Sequence, residues 1–217
     1  MSKKKKILDN IRQPLLVSVS LMVICGFLFP VLLSGLSAVI FPSQANGSLI
    51  EVDGKAVGSS HVGQEFTEPY FMKCRPSAVN YNTYSEDAEG NQTLSDGSEF
   101  GGVGSGSNNY APSNPELTER VNNDIEAFLK ANPGVEREDI PTDLMTASGS
   151  GLDPNISPAS AEIQIPAIAK ASGISEDKLK EIVADNTKGK LLGLFGEDIV
   201  NVLEVNIDIA EEMNLIK

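Results

Sequence analysis

The chain has 217 residues and a net charge of −13, and its two Cys and one His are too few for a disulfide framework or a His-based metal cluster. Residues 46–217 carry 12 Lys and Arg against 29 Asp and Glu, a net charge of −17, which argues against nucleic acid or an anionic lipid surface as a partner. This part is long enough for one domain with its own core, which aliphatic side chains must fill because aromatic residues are few.

The first predicted element is a membrane anchor helix from Leu15 to Phe41, in a run with no charged residue between Arg12 and Glu51. As a helix it would be roughly 40 Å long, against about 30 Å for the hydrocarbon core, so it can span with tilt or with a bend at Pro30. A cleavable secretory signal has only about 7–15 apolar residues, which is far shorter. Small residues such as Gly35 would allow close contact with a partner helix.

The charges that flank the apolar stretch predict its orientation. Residues 1–14 contain Lys3 to Lys6 and Arg12, and a basic flank stays in the cytoplasm. We therefore expect a single-pass protein of the plasma (cell) membrane. Residues 1–14 would be cytoplasmic, residues 15–41 would lie in the lipid bilayer, and residues 46–217 would be extracytoplasmic.

Residues 48–109 are predicted to contain one hairpin and a long loop. Asp53-Gly54 is a strong type I′ turn signal for a hairpin in residues 48–64. The following segment is rich in aromatic residues, and Arg75 within it is expected to meet a carboxylate or carbonyl groups. Residues 82–109 are predicted to be a flexible, acidic and glycine-rich insertion, because they hold too few aliphatic residues to bury a face.

A helix and a second loop follow. Asn114 as the cap and Pro115 at the first helical position predict a helix that ends at Asn132-Pro133-Gly134. Residues 140–158 form a segment dense in hydroxyl groups and turn residues, and it also carries carboxylates. Such a segment either binds a ligand or holds a tight backbone turn, and the residues alone do not decide between these.

Two further helices are predicted from their caps. Ser157 should cap one helix, which Pro166 should kink and Gly173 should close. Ser175 should cap the next, which would end near Gly189. Beyond it we predict an apolar turn at residues 191–196, a strand at Ile199–Ile207 and a short helix at Asp208–Ile216. Helices and strands are mixed without a regular βαβ rhythm, so the fold class is predicted to be α+β.

Several motifs, in order and over nearly the whole chain, resemble the KdpC family of potassium-transport subunits. They include FPSQANGSL at residues 41–49, RPSA at 75–78 and, most specifically, TASGSGLDPNIS at 146–157. The resemblance marks a set of residues as family-motif and interface candidates: Gln64, Phe66, Phe71, Arg75, Pro76, Ser77, Asn114, Pro115, Thr146, Ser148, Gly149, Ser150, Gly151, Asp153, Pro154, Ser157 and Asn201.

The resemblance implies a non-catalytic accessory subunit of a high-affinity, ATP-driven potassium uptake complex. Such a subunit stabilises assembly and acts as a chaperone-like partner that raises the ATP affinity of a P-type ATPase subunit. The implied partners are that subunit, a channel-like potassium-binding subunit and a small single-helix subunit. No cofactor or metal is expected to bind this chain directly: ATP would act through the ATPase subunit, and potassium is the substrate of the complex.

An alternative is a membrane-anchored extracytoplasmic hydrolase or ligand-binding protein that acts alone. Ser148 would then be the nucleophile or binding residue of the hydroxyl-rich segment. The sequence offers no evident general base to activate this serine, which argues against the hydrolase.

Overall fold

The computed structural model describes residues 3–94 and 97–216. The chain divides into two compact units, Met1–Leu49 and Ile50–Lys217. The first is helical, and the second is the C-terminal domain, which combines helices with short antiparallel strands. The predicted α+β class with a long N-terminal helix is therefore confirmed.

The N-terminal unit is a nearly continuous helix with one irregular turn. Helix α1 (Lys3–Val23) is followed by a π-helical turn (Ile24–Leu28), helix α2 (Phe29–Ile40) and a short helix α3 (Pro42–Ala45). Among the described residues, Ile11–Ile40 is the one helical stretch, of 30 residues, that is long and apolar enough to cross a membrane.

Pro30 explains the position of the irregular turn. It lies in the first turn of α2, directly after the π turn. Proline has no amide hydrogen, and its ring collides with the carbonyl four residues earlier, so a regular α-helix cannot continue through it undisturbed. Leu15, Gly35 and Phe41 of the predicted anchor lie in α1, in α2 and at the end of α2.

The predicted hairpin of the C-terminal domain is confirmed. Strands β1 (Leu49–Val52) and β2 (Lys55–Ser59) form a two-stranded sheet. The turn residues Asp53 and Gly54 have φ of 51° and 74°, as a type I′ turn requires.

The prediction that residues 82–109 form a loop is only partly correct, because the insertion contains two short strands. Strands β3 (Tyr84–Glu86) and β4 (Gln92–Leu94) pair antiparallel, with Tyr84 opposite Leu94. The Asp87 carboxylate organises the turn between them, because it accepts hydrogen bonds from the amides of Glu89 and Asn91. This side-chain cap and the stacked rings of Tyr84 and Phe100, with centroids 4.6 Å apart, hold this part of the insertion.

Helix α4 (Pro115–Ala131) forms as predicted. The Asn114 side chain accepts a hydrogen bond of 2.9 Å from the amide of Glu116. The buried side of α4 packs against later parts of the chain in a small apolar cluster. Its buried members are Ile125, Leu144 and Met145, flanked by Val121, Phe128, Leu129, Ile140 and Ile163. Two 3₁₀ turns follow α4: Arg137–Asp139 precedes the hydroxyl-rich segment, and Thr142–Leu144 lies within it.

The main core is built on a three-stranded sheet. Strands β5 (Asn155–Ile156), β6 (Thr187–Lys188) and β7 (Ile199–Asn201) lie in the order β5-β7-β6, and both pairings are antiparallel. Val200 in the central strand lies opposite Ile156 on one side and Thr187 on the other, and it is fully buried.

Four helices complete this core: α5 (Pro158–Glu162), α6 (Ile165–Ser172), α7 (Glu176–Asp185) and α8 (Val202–Glu212). Pro166 does more than kink the predicted second helix, because a break between α5 and α6 precedes it. Gly173 closes α6 with φ of 78°, and Ser175 caps α7, as predicted. Helix α7 ends at Asp185 rather than near Gly189, since the chain continues as β6.

The predicted strand Ile199–Ile207 is wrong beyond Asn201. The Asn201 side chain accepts a hydrogen bond of 3.1 Å from the amide of Glu204 and starts α8 there. Val202, Val205 and Ile209 then recur at three- and four-residue steps and are fully buried. The run of β-branched residues suggested a strand, but its spacing fits a helix.

Candidate functional site

Arg75 is the centre of the candidate site, and it points at the TASGSGLDPNIS motif. Its Nε and Nη2 each donate to the Thr146 carbonyl oxygen at 3.3 Å, and Nη1 lies 3.5 Å from the Asp153 carboxylate. Both charged side chains are about one-quarter exposed or less. The expectation that Arg75 meets a carboxylate and carbonyl groups is confirmed, and this contact connects two parts of the chain 78 residues apart.

Ser77 makes a second connection to the same motif. Its hydroxyl donates to the Gly151 carbonyl oxygen at 2.6 Å and accepts from the amides of Val79 and Tyr81. The Tyr81 hydroxyl donates to the Arg75 carbonyl oxygen at 2.7 Å, and burial raises the pKa of Tyr81. The RPSA segment is therefore folded back on itself and bonded to the motif at the same time.

Two glycines allow this close approach, and a third does not take part in it. A Cβ added to Gly63 would lie 2.6 Å from the Asp153 carbonyl oxygen, and one on Gly151 would lie 2.6 Å from Val79 and 3.0 Å from the Gly106 carbonyl oxygen. A Cβ on Gly149 would meet nothing within 4 Å. The first two glycines are required by packing, which the sequence pattern alone does not distinguish.

Asp143 ties the motif to helix α5. Its carboxylate accepts from the amide of Ser157 at 2.7 Å and from the hydroxyls of Ser157 and Ser160 at 3.1 and 2.6 Å. Burial opposes ionisation of this carboxyl group, but the three hydrogen bonds outweigh it and lower its pKa below the ordinary value. Asp143 is thus kept as an anion that holds the start of α5.

The other motif candidates are placed in structural roles. The Gln64 amide donates to the Val57 carbonyl oxygen at 2.8 Å, and the Ser150 hydroxyl accepts from the amide of Leu152. Phe66 and Phe71 pack edge-to-face, with ring centroids 5.7 Å apart, against the main core. Four more occupy helix starts or their approach: Asn114 and Pro115 at α4, Pro154 with its carbonyl oxygen bonded to the amide of Val202, and Asn201 at α8.

Sequence reasoning missed two buried amide side chains that hold the aromatic segment. Asn206 accepts from the amide of Met72 at 2.8 Å and donates to its carbonyl oxygen at 2.9 Å. Gln164 does the same for Lys73, at 2.8 and 3.3 Å. The available signal was a polar residue among apolar neighbours in the sequence, Asn206 within α8 and Gln164 just before α6, because a buried amide must find partners.

Two cavities border the site. One of about 320 Å³ has polar and apolar walls drawn from four parts of the chain: Pro76, Ser77, Ala78, Ser107, Asn108, Asn109, Tyr110, Leu117, Arg120, Thr146 and Ala147. The other, of about 480 Å³, shares Thr146 with the first and is lined by Arg75, Thr142, Asp143, Thr146, Asp153, Asn155, Ile156, Ser157, Glu197, Asp198 and Ile199. Within the described ranges, no three His, Cys, Asp or Glu side chains converge as metal ligands would.

The residues that a hydrolase would need are not brought together. Ser148 is half-buried, and the single histidine, His61, has its Nδ1 3.0 Å from the hydroxyl of its neighbour Ser60. Cys74 packs against the main core, and burial raises the pKa of its thiol to about 12, so it is not a reactive nucleophile at neutral pH. The site is a set of internal connections around Arg75, Ser77, Asp143 and the motif.

Comparison with known proteins shows one consistent relationship. Residues 11–211 match the family described as KdpC, the c chain of the K⁺-transporting ATPase. The potassium-transporting ATPase KdpC subunit of Clostridium kluyveri is 59% identical over 206 residues, which cover 95% of each chain. The corresponding subunits of Clostridioides difficile and Caldanaerobacter subterraneus subsp. tengcongensis are 58% and 43% identical, over 96% and 94% of this chain and 100% and 96% of theirs.

These matches run through the membrane helix and the C-terminal domain alike. They agree with a site whose polar groups are used in internal contacts rather than gathered for catalysis. Within its described residues the chain has one N-terminal helix that is long and apolar enough to cross a membrane, and it belongs to the KdpC family, the non-catalytic c chain of the potassium-transporting ATPase.

Proposed function

We propose that this chain stabilises assembly of the potassium-transporting complex and, as a chaperone-like partner, raises the affinity of the P-type ATPase subunit for ATP. Its partners are that subunit, a channel-like potassium-binding subunit and a small single-helix subunit. The observation that carries the proposal is family membership over nearly the full chain. The geometry supports it, because Arg75, Ser77 and Asp143 are used in hydrogen bonds that hold parts of the chain together rather than in a reaction centre.

We also place the C-terminal domain on the extracytoplasmic side, anchored by a single helix in the plasma membrane. The basic residues before the apolar helix and the charge of −17 after it support this orientation. Cellular ATP is cytoplasmic, so an effect on ATP affinity would be indirect. It would pass through the membrane helix and the helices of the partner subunits.

Deleting residues 46–217 while keeping the membrane helix tests the assembly role. We expect potassium uptake at micromolar potassium to be lost and recovery of the other subunits on a tagged copy to fall. In any complex that still forms, the KM of the ATPase for ATP should rise about fivefold or more, which is the change in affinity that typical coupling between two sites produces. Supplying the full-length chain should restore all three. Unchanged uptake, recovery and KM would refute the proposed function.

Labelling of an exposed position tests the orientation. Glu126 lies on the exposed side of α4, so Glu126→Cys should react with a membrane-impermeant maleimide in intact cells. The native thiols are a suitable background, because Cys74 is half-buried with a raised pKa and Cys25 lies in the apolar helix. A variant that reacts only after the cells are opened would place the domain in the cytoplasm instead.

A further inference from the structure

The loop between strands β6 and β7 displays an unusual apolar surface. At positions 191–195 of this loop, four of the five residues are large and apolar, and their side chains are 64–82% exposed: Leu191, Leu192, Leu194 and Phe195. We call these four side chains the apolar loop. Single exposed apolar residues are common on soluble domains, but a contiguous group of this kind marks an interaction surface.

The backbone holds the apolar loop in one shape. Leu191 and Phe195 exchange amide-to-carbonyl hydrogen bonds of 2.8 and 3.0 Å, and Gly193 donates to the Lys190 carbonyl oxygen at 2.9 Å. Leu192 has a φ of 54°, in the left-handed region that a large side chain rarely adopts. These contacts direct the apolar side chains outward, where they do not join the main core.

The base of the loop is fixed to the best-buried part of the domain. The Asp198 carboxylate accepts from the amide of Lys190 at 3.2 Å. Strand β7 leads from the loop to Val200 and Asn201, which are 0% and 1% exposed. A rigid base reduces the ordering that binding would require, so the loop is preorganised for a partner.

The charges around the loop favour a protein cleft over a lipid surface. Lys188 and Lys190 precede it and Glu197 and Asp198 follow, so the flanks have no net charge. Segments that insert into the membrane interface are rich in Lys and Arg, and a domain with a charge of −17 is repelled by anionic lipid. An uncharged apolar cleft on a protein carries neither penalty.

We propose that the apolar loop seats the C-terminal domain in an apolar cleft on the extracytoplasmic face of another subunit of the potassium-transporting complex. This inference rests on the proposed function, and it identifies the contact through which the domain would act. Among the described residues of the domain, these four are the exposed large apolar side chains that lie together in the sequence, and burial in such a cleft would remove them from water.

The first test removes the apolar side chains but keeps the turn. In the full complex, the double variant Leu192→Asn and Leu194→Asn should lower recovery of the other subunits on a tagged copy by about tenfold, as expected for a central contact. Asn tolerates the left-handed conformation at position 192. Val103→Asn is the matched control, since Val103 is 81% exposed elsewhere on the domain, and its recovery should stay at the wild-type level.

The second test identifies what the loop touches. Replacement of Leu194 by the photo-crosslinking residue benzoylphenylalanine should give a covalent adduct with another subunit in illuminated membranes. Adducts with lipid or with a second copy of this chain alone, or wild-type recovery of the double variant, would overturn the docking inference while the proposed function stands. If the wild-type chain itself recovers no other subunit, the proposed function fails and the docking inference with it.

Discussion

Replacing Asn206 with Ala is expected to lower the free energy of unfolding of the C-terminal domain by about 3–5 kcal/mol. Asn206 is 2% exposed, and its side chain supplies both hydrogen bonds to the backbone of Met72, which is 1% exposed. Without it, a buried amide and a buried carbonyl of Met72 have neither a protein partner nor access to water. The truncation also leaves a cavity in the main core.

Chemical unfolding of the full chain in detergent, followed by far-ultraviolet circular dichroism, measures this effect. Asn123→Ala is the matched control, because Asn123 is exposed on α4 and the same change there should shift stability by no more than about 0.5 kcal/mol. If both variants unfold at the same denaturant concentration, the Asn206 contact with Met72 is not a major source of stability.

Gly63→Ala is the second substitution expected to have a large effect, a loss of about 2–3 kcal/mol. The added methyl group would lie 2.6 Å from the Asp153 carbonyl oxygen, 2.9 Å from its carbonyl carbon and 2.7 Å from the Tyr81 ring. Backbone atoms cannot rotate away as a flexible side chain can. The hydrogen bond from the Gly63 amide to the Leu152 carbonyl oxygen, 2.8 Å long, would have to stretch or break.

Gly149→Ala provides the comparison for this substitution within the same site. A Cβ at Gly149 would meet nothing within 4 Å, so this variant should be neutral or slightly more stable than the wild type, since Ala restricts the unfolded chain. Thermal unfolding of both full-length variants in the same detergent separates the two cases. Equal transition temperatures would mean that the contact between Gly63 and Asp153 is looser than the structure indicates.

Local signals in the sequence determined much of the secondary structure. The helix starts at Asn114, Ser157 and Ser175 were predicted correctly, because each cap bonds an amide only two or three residues ahead. The Asp53-Gly54 turn was equally local. At Asn201 such a cap signal is also present, with Glu204 three residues later, but the β-branched run around it favours a strand.

Tertiary structure alone decided how the site is held together. The family motifs marked Arg75 and Asp153 as candidates, but their pairing spans 78 residues, and the amide contacts at Met72 and Lys73 span 134 and 91 residues. Packing of the whole domain sets such contacts, so no rule based on residue spacing in the sequence predicts them. For the same reason, the sequence does not separate Gly63 from Gly149.

The order and type of residues determine three properties of this chain: its membership in the KdpC family, its membrane helix and the acidic character of its C-terminal domain. These properties depend on composition and short motifs. The outward display of residues 191–195 does not, since an apolar run is ordinarily expected to be buried. Only the positions of β6 and β7, with the left-handed turn at Leu192 between them, turn that run away from the core and into solvent.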